Sequence, residues 1–218
     1  MPKNEIFEKL SKEYDAWFKK HETIYKCEIE AIKKVLPPFH KGIEIGVGTG
    51  RFAKPLGIKI GVEPSKKMAE IARQRGIKVI EGVAEDLPLP DSSFDLVLMV
   101  TTICFVDDID KTLQECKRVL QDGGFLVVGF VDRESALGRF YEANKDKSRF
   151  YKAATFYSKK EIFALLKRHG FVLDRCSEAL FGNTLEDIEC KIYDGCKKDG
   201  AFLTLVARKK DATNTADE

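Results

Sequence analysis

The chain has 218 residues, with 44% hydrophobic and 33% charged side chains, enough for one α/β unit with a substantial core. Lys+Arg total 37 and Asp+Glu 35, so the net charge of +2 argues against a polyanion-binding surface, and nucleic acid is not expected as a partner. The N-terminus lacks an apolar signal core, and the longest apolar run, residues 94–105, is too short to span a bilayer, so a cytoplasmic protein without membrane insertion is expected.

In chain order, residues 4–36 read as two amphipathic helices. Ile6, Phe7, Leu10, Tyr14, Trp17 and Phe18 form one stripe, and Ile24, Tyr25, Ile29, Ile32, Val35 and Leu36 the next, which Pro37-Pro38 stops. The pattern then changes to short apolar runs alternating with helical segments. Strands are expected at 42–45, 58–62, 78–80, 94–100 and 125–131, with helices near 51–56, 65–75 and 108–120. Such alternation implies a parallel sheet with helices on both faces. Residues 132–157 read as a helical lid insert. Ser158 to Glu161 is a capping box opening a helix that ends at Gly170. Residues 171–180 and 201–207 read as two last strands, suited to antiparallel pairing because no crossover helix separates them. The small, polar tail 211–218 is expected to be disordered. The expected organisation is therefore a single domain over 1–210, with 1–37 as a helical cap. The six cysteines lack CxxC spacing and are read as free thiols, and no metal site is expected.

Three segments carry chemistry. Glu44-Ile45-Gly46-Val47-Gly48-Thr49-Gly50 ends the first strand, and its alternate glycines let backbone approach a ligand. Arg51 stands where a dinucleotide fingerprint has its third glycine, so hydride-transfer chemistry fits poorly. Glu63, before Pro64 and 17 residues after Gly46, ends the second strand, where a carboxylate accepts bonds from both ribose hydroxyls. Ala84-Glu85-Asp86-Leu87-Pro88-Leu89-Pro90, followed by Ser93-Phe94-Asp95, falls where the base of such a ligand lies.

In that order these segments resemble the class I S-adenosylmethionine-dependent methyltransferases, in particular the ubiquinone/menaquinone-biosynthesis-like (methyltransferase type 11) branch. Tyr14-Asp15-Ala16-Trp17 matches that branch's N-terminal Y-D-x-W segment. The resemblance implies a Rossmann-like, doubly wound, seven-stranded sheet with its last strand antiparallel. It implies S-adenosyl-L-methionine as cofactor, with the loop from Gly46 to Gly50 facing the methionine part, Glu63 on the ribose, and Ala84 and Glu85 at the adenine. The cofactor-binding set expected from motifs and resemblance together is Tyr14, Trp17, Glu44, Gly46, Gly48, Gly50, Arg51, Glu63, Pro64, Ala84, Glu85 and Thr101.

The expected reaction is transfer of a methyl group to a small-molecule acceptor by in-line displacement. The sulfonium is already an activated electrophile, so no triad or metal is required. Thr101, Thr102, Cys104, Asp132, Arg133 and Tyr141 are candidate acceptor-wall residues, and His21 a candidate base. An RNA or protein methyltransferase is the first alternative and an NAD-dependent oxidoreductase a lesser one. The sequence assigns no catalytic residue, acceptor atom or oligomeric state.

Overall fold

The computed structural model describes residues 5–210; the tail expected to be disordered lies outside them. The N-terminal region forms three helices where the stripes suggest two: α1 (Glu5–Lys9), α2 (Ser11–Lys20) and α3 (Glu22–Val35). The breaks fall at Leu10 and His21, whose backbone angles leave the helical region. The i→i−4 bonds nevertheless continue across both, as in Tyr14 N–H to Leu10 C=O and Tyr25 N–H to His21 C=O.

The sheet strands are β1 (Gly42–Ile45), β2 (Ile60–Glu63), β3 (Lys78–Glu81), β4 (Phe94–Val100), β5 (Leu120–Val131), β6 (Phe171–Phe181), β7 (Glu189–Asp194) and β8 (Phe202–Lys209). Their spatial order is β3-β2-β1-β4-β5-β8-β6-β7. The first five pair in parallel, and β8 inserts antiparallel between β5 and β6, as expected of the last strand. The expected count of seven is corrected to eight by β7, which adds an antiparallel edge beyond β6. Its sequence, Glu-Cys-Lys-Ile-Tyr-Asp, has no apolar run because it lies at an exposed edge with no buried face.

The helices α4 (Lys66–Gln74), α5 (Ile109–Val119), α6 (Ala136–Asn144) and α7 (Lys159–Arg168) complete the layers. Ser65, Asp108, Ser135 and Ser158 cap their N-termini through side-chain oxygens, and Glu161 closes the Ser158 capping box. Two separate cores cover the faces of the sheet. Leu96, Leu98 and Val100 of β4 enter one, and Val97 and Met99 the other.

The helix expected near 51–56 is instead a run of turns over 51–57. Pro55 has no N–H to give the Arg51 carbonyl, so only the long Lys54–Gly50 and Leu56–Phe52 bonds, both 3.3 Å, flank the gap in the ladder. The Tyr25 hydroxyl donates to that orphaned carbonyl at 2.5 Å, tying α3 to the turn.

The reading of six free thiols is also corrected. Cys27 of α3 is disulfide-bonded to Cys190 of β7, and Cys176 of β6 to Cys196, with Cα separations of 5.7 and 6.1 Å. The first pair is 163 residues apart in sequence, so only the folded sheet brings it together. Cys104 and Cys116 are buried thiols.

Candidate active site

The chain crosses from β1 to β2 on one side and reaches β4 on the other, so a crevice opens above the carboxyl ends of β1, β2 and β4. There lies an open cleft, lined by both apolar and polar side chains. Tyr14, Gly46, Gly48, Glu63, Pro64, Ala84, Glu85 and Thr101 line it, all expected from sequence, and so does Thr102.

The loop after β1 turns sharply because Gly46, Gly48 and Gly50 all have positive φ, at 68°, 54° and 78°. A Cβ on Gly46 would stand 2.3 Å from Thr102 Cγ2, and one on Gly48 would stand 3.5 Å from Met68 and 3.8 Å from Tyr14, both cleft-lining. Glu63 holds this loop against β2. Its Oε2 accepts from Gly48 N–H at 2.8 Å, and its Oε1 from Ser65 N–H at 2.9 Å. Burial pushes the Glu63 carboxyl up to about 7, although the two backbone donors pull the other way. Each oxygen has a further lone pair to offer.

Glu85 is anchored to the cleft wall, with Oε1 accepting from Asp107 N–H at 2.6 Å and from Asp108 N–H at 3.3 Å. Thr101, after β4, has φ +51°, an uncommon value for a β-branched residue and a strain that often marks functional positions. It lines both the main cleft and a smaller cavity walled by Cys104, Phe130, Tyr151 and Phe156. The Tyr14 hydroxyl interacts with the Thr101 side chain, and burial raises its pKa.

The other four expected residues lie outside the cleft lining. Trp17 packs against Phe18 and His21. Gly50 faces Ala72 and Ile77. Glu44 points to the other side of β1, under the 51–57 turn. It is 1% exposed, burial raises its pKa well above the ordinary value, and its Oε2 has no hydrogen-bond partner among the described residues. Arg51 turns away to clamp Asp15 of α2, with Nε to Oδ1 at 2.8 Å and Nη2 to Oδ2 at 2.7 Å. Arg75 Nη2 and Thr49 Oγ1 donate to the same carboxylate. Burial opposes ionisation of Asp15, but these donors prevail and hold it well below the usual carboxylate range. The Y-D-x-W segment thus grips the glycine loop through Asp15, a residue the motif contains but the expected binding set omits.

Among the candidate acceptor-wall residues, Asp132 and Arg133 have structural partners. Asp132 Oδ1 accepts from Glu134 and Lys159 N–H, and Arg133 pairs with Glu161. Tyr141 joins an aromatic cluster, its ring 5.0 Å from Tyr151. His21 sits at the junction of α2 and α3 against Trp17, away from the cleft lining. Sequence reasoning missed Met68 and Asp107 in the lining, whereas Phe105 lies in the 100–106 stretch expected to wall the acceptor and Val83 in the segment expected at the base. Asp107 lies in the loop between β4 and α5, where such folds present ligand-facing residues, and that position was the available signal.

A crevice at the switch point, a triple-glycine turn and a buried acid ending β2 define an α/β protein built to hold a nucleoside-type ligand. A family described as "methyltransferase domain" matches residues 43–128. An uncharacterized protein of Methanocaldococcus jannaschii is 46% identical over 204 residues, 94% of this chain and 98% of that one. The crystal structure of an S-adenosylmethionine-dependent methyltransferase from Thermotoga maritima, described as a possible histamine N-methyltransferase, superposes with a TM-score of 0.91 at 51% identity. The match covers 95% of this chain and all of that one. This chain belongs to the S-adenosylmethionine-dependent methyltransferases, with S-adenosylmethionine as methyl donor. No helix among the described residues is long and apolar enough to cross a membrane.

Proposed function

We propose that the chain methylates a small molecule, with the cofactor held between the glycine loop and Glu63. S-adenosylmethionine supplies, when bound, a methyl group already activated on a sulfonium. In this reading Gly46 and Gly48 present bare backbone to the methionine part and Glu63 takes the ribose hydroxyls. Ala84 and Glu85 border the adenine, and Pro64, Thr101 and Tyr14 complete the walls. Trp17, Glu44, Gly50 and Arg51 act from behind, by fixing the loop and the cap rather than by touching the ligand.

The observation that carries the reading is the Glu63 carboxylate at the cleft wall, bonded to the Gly48 N–H and retaining lone pairs for hydroxyl donors. Support for a small acceptor comes from the cover over the cleft. Phe7 of α1 and Tyr14 of α2 line it from above, with ring centroids 5.5 Å apart. Phe150 of the insert stacks on Phe7 at 6.1 Å. Residues 5–37 of the expected 1–37 cap and the 132–157 lid then cover one domain, excluding water and large substrates alike. The test is calorimetric binding of S-adenosylhomocysteine, followed by product analysis with small acceptors and with RNA or protein. Binding together with turnover of small acceptors alone is expected, and turnover of macromolecules alone would refute the reading.

A further inference from the structure

Two disulfides converge on the segment that carries β7. Cys27 of α3 bonds to Cys190 of β7, and Cys176 of β6 bonds to Cys196, just past the end of β7. The bonds lie on opposite faces of the sheet. Cys27 belongs to one core, and Cys176 and Cys196 pack against the other.

The strand's other attachments are weak. β7 places no fully buried side chain in either core, and among the described residues its backbone pairs only with β6. That pairing carries a register shift between Ala179 and Phe181. Ile188 and Ile192 are half-buried against the core that α3 shares, and Lys34 of α3 meets Asp194 at 3.4 Å in an exposed ion pair. An edge strand held in this way opens easily unless it is tied down.

The α3 end of the staple leads to the cofactor loop. Cys27 lies one helical half-turn from Tyr25, whose hydroxyl donates to the Arg51 carbonyl at 2.5 Å. Arg51 in turn clamps Asp15 of the cap. One helix thus joins the docking of β7 to the pose of the glycine loop.

We infer that residues 182–200 form a redox-operated flap. Bonded, it holds β7 on α3 and steadies the glycine loop; reduced, it undocks and weakens cofactor binding. This rests on the methyltransferase reading above and adds its regulation. Cys190 is exposed and Cys27 is 2% exposed, so a thiolate reductant such as glutathione attacks the Cys190 sulfur. The S–S bond breaks, and its electron pair leaves on Cys27, which takes up a proton. A second glutathione thiolate then attacks the mixed disulfide, departs as glutathione disulfide and releases Cys190, which is protonated in turn. Cys176 and Cys196, both half-buried, undergo the same exchange. Glutathione disulfide drives the reverse reaction and closes the flap.

The test is hydrogen exchange read by mass spectrometry on the full chain, equilibrated with glutathione disulfide or with excess dithiothreitol, and calorimetric titration of S-adenosylhomocysteine in each state. Alkylation under denaturing conditions should find two free thiols, Cys104 and Cys116, in the oxidised chain and six in the reduced one. On reduction the β7 amides should exchange at least about tenfold faster while those of β4 stay protected. S-adenosylhomocysteine should bind roughly three- to tenfold more weakly to the reduced chain. Cys190→Ser, a change at an exposed position, should show both effects even in the presence of glutathione disulfide. Six alkylated cysteines in the oxidised chain, equal β7 exchange in the two states, or equal S-adenosylhomocysteine affinity in the two states would each overturn the inference. Failure of the oxidised chain to bind S-adenosylhomocysteine at all is a separate outcome and refutes the methyltransferase site itself.

Discussion

Two regions of the molecule, the glycine loop and helix α3, treat their acids in opposite ways. At the glycine loop Glu63 is satisfied by two backbone N–H groups, and Asp15 by two arginines and a threonine. On α3, Glu28 is as deeply buried with none of these, and burial alone pushes its carboxyl up to about 8. The glycine loop is preorganised by the chain's own donors, whereas Glu28 has none and burial favours its neutral form.

The contrast breaks most sharply under Gly48→Val. A β-branched residue at φ +54° is strained, and its side chain would project toward Met68 and Tyr14 in the cleft. S-adenosylhomocysteine affinity should fall at least about a hundredfold by calorimetry, about 3 kcal/mol. Glu28→Gln tests the α3 region. The folded carboxyl titrates near 8 against an ordinary 4.5, so the folded state binds more protons than the unfolded one between those values. Wild-type stability therefore falls as pH rises through that window. Glu28→Gln should recover up to roughly 4 kcal/mol at pH 8 relative to pH 4.5 in chemical denaturation. An unchanged pH profile would mean that Glu28 is paired in solution.

Asp15→Ala strands Arg51 and Arg75, whose side chains are 16% and 21% exposed, and frees the cap from the loop. A loss of about 2 kcal/mol in stability is expected, with weakened cofactor binding. Glu63→Ala should cost about 1–3 kcal/mol of cofactor affinity while the fold persists. The smallest effect is on pH. Ribose hydroxyls donate better to an ionised Glu63, which titrates near 7, so S-adenosylhomocysteine affinity should rise about threefold between pH 6 and pH 8 and stay flat in Glu63→Gln.

The legible part of this protein is the part governed by local rules. Glycines needed for positive φ, serine and aspartate caps, and alternating strands are written in adjacent residues, so β1 to β5 and most of the cleft lining follow from the sequence. What escaped depends on distant contacts. β7 has an edge strand's polar composition, and the Cys27–Cys190 bond exists only once β7 docks. The turn at 51–57 hinged on Pro55. Trp17, Glu44, Gly50 and Arg51 belong to the motifs, yet periodicity and motif order do not reveal which side of a loop faces the ligand. Glu28 was readable in one respect: an acid at the i+4 position between Ile24 and Ile32 interrupts an apolar stripe, and such interruptions ask for a partner.

The most direct measurement is titration of S-adenosylhomocysteine into wild type and Glu63→Ala at pH 8, with folding of both checked by circular dichroism. Holding the nucleoside between the glycine turn and Glu63 predicts a clear enthalpic binding signal for the wild type and roughly ten- to hundredfold weaker binding for the folded variant. Equal affinity in the two proteins would contradict the account.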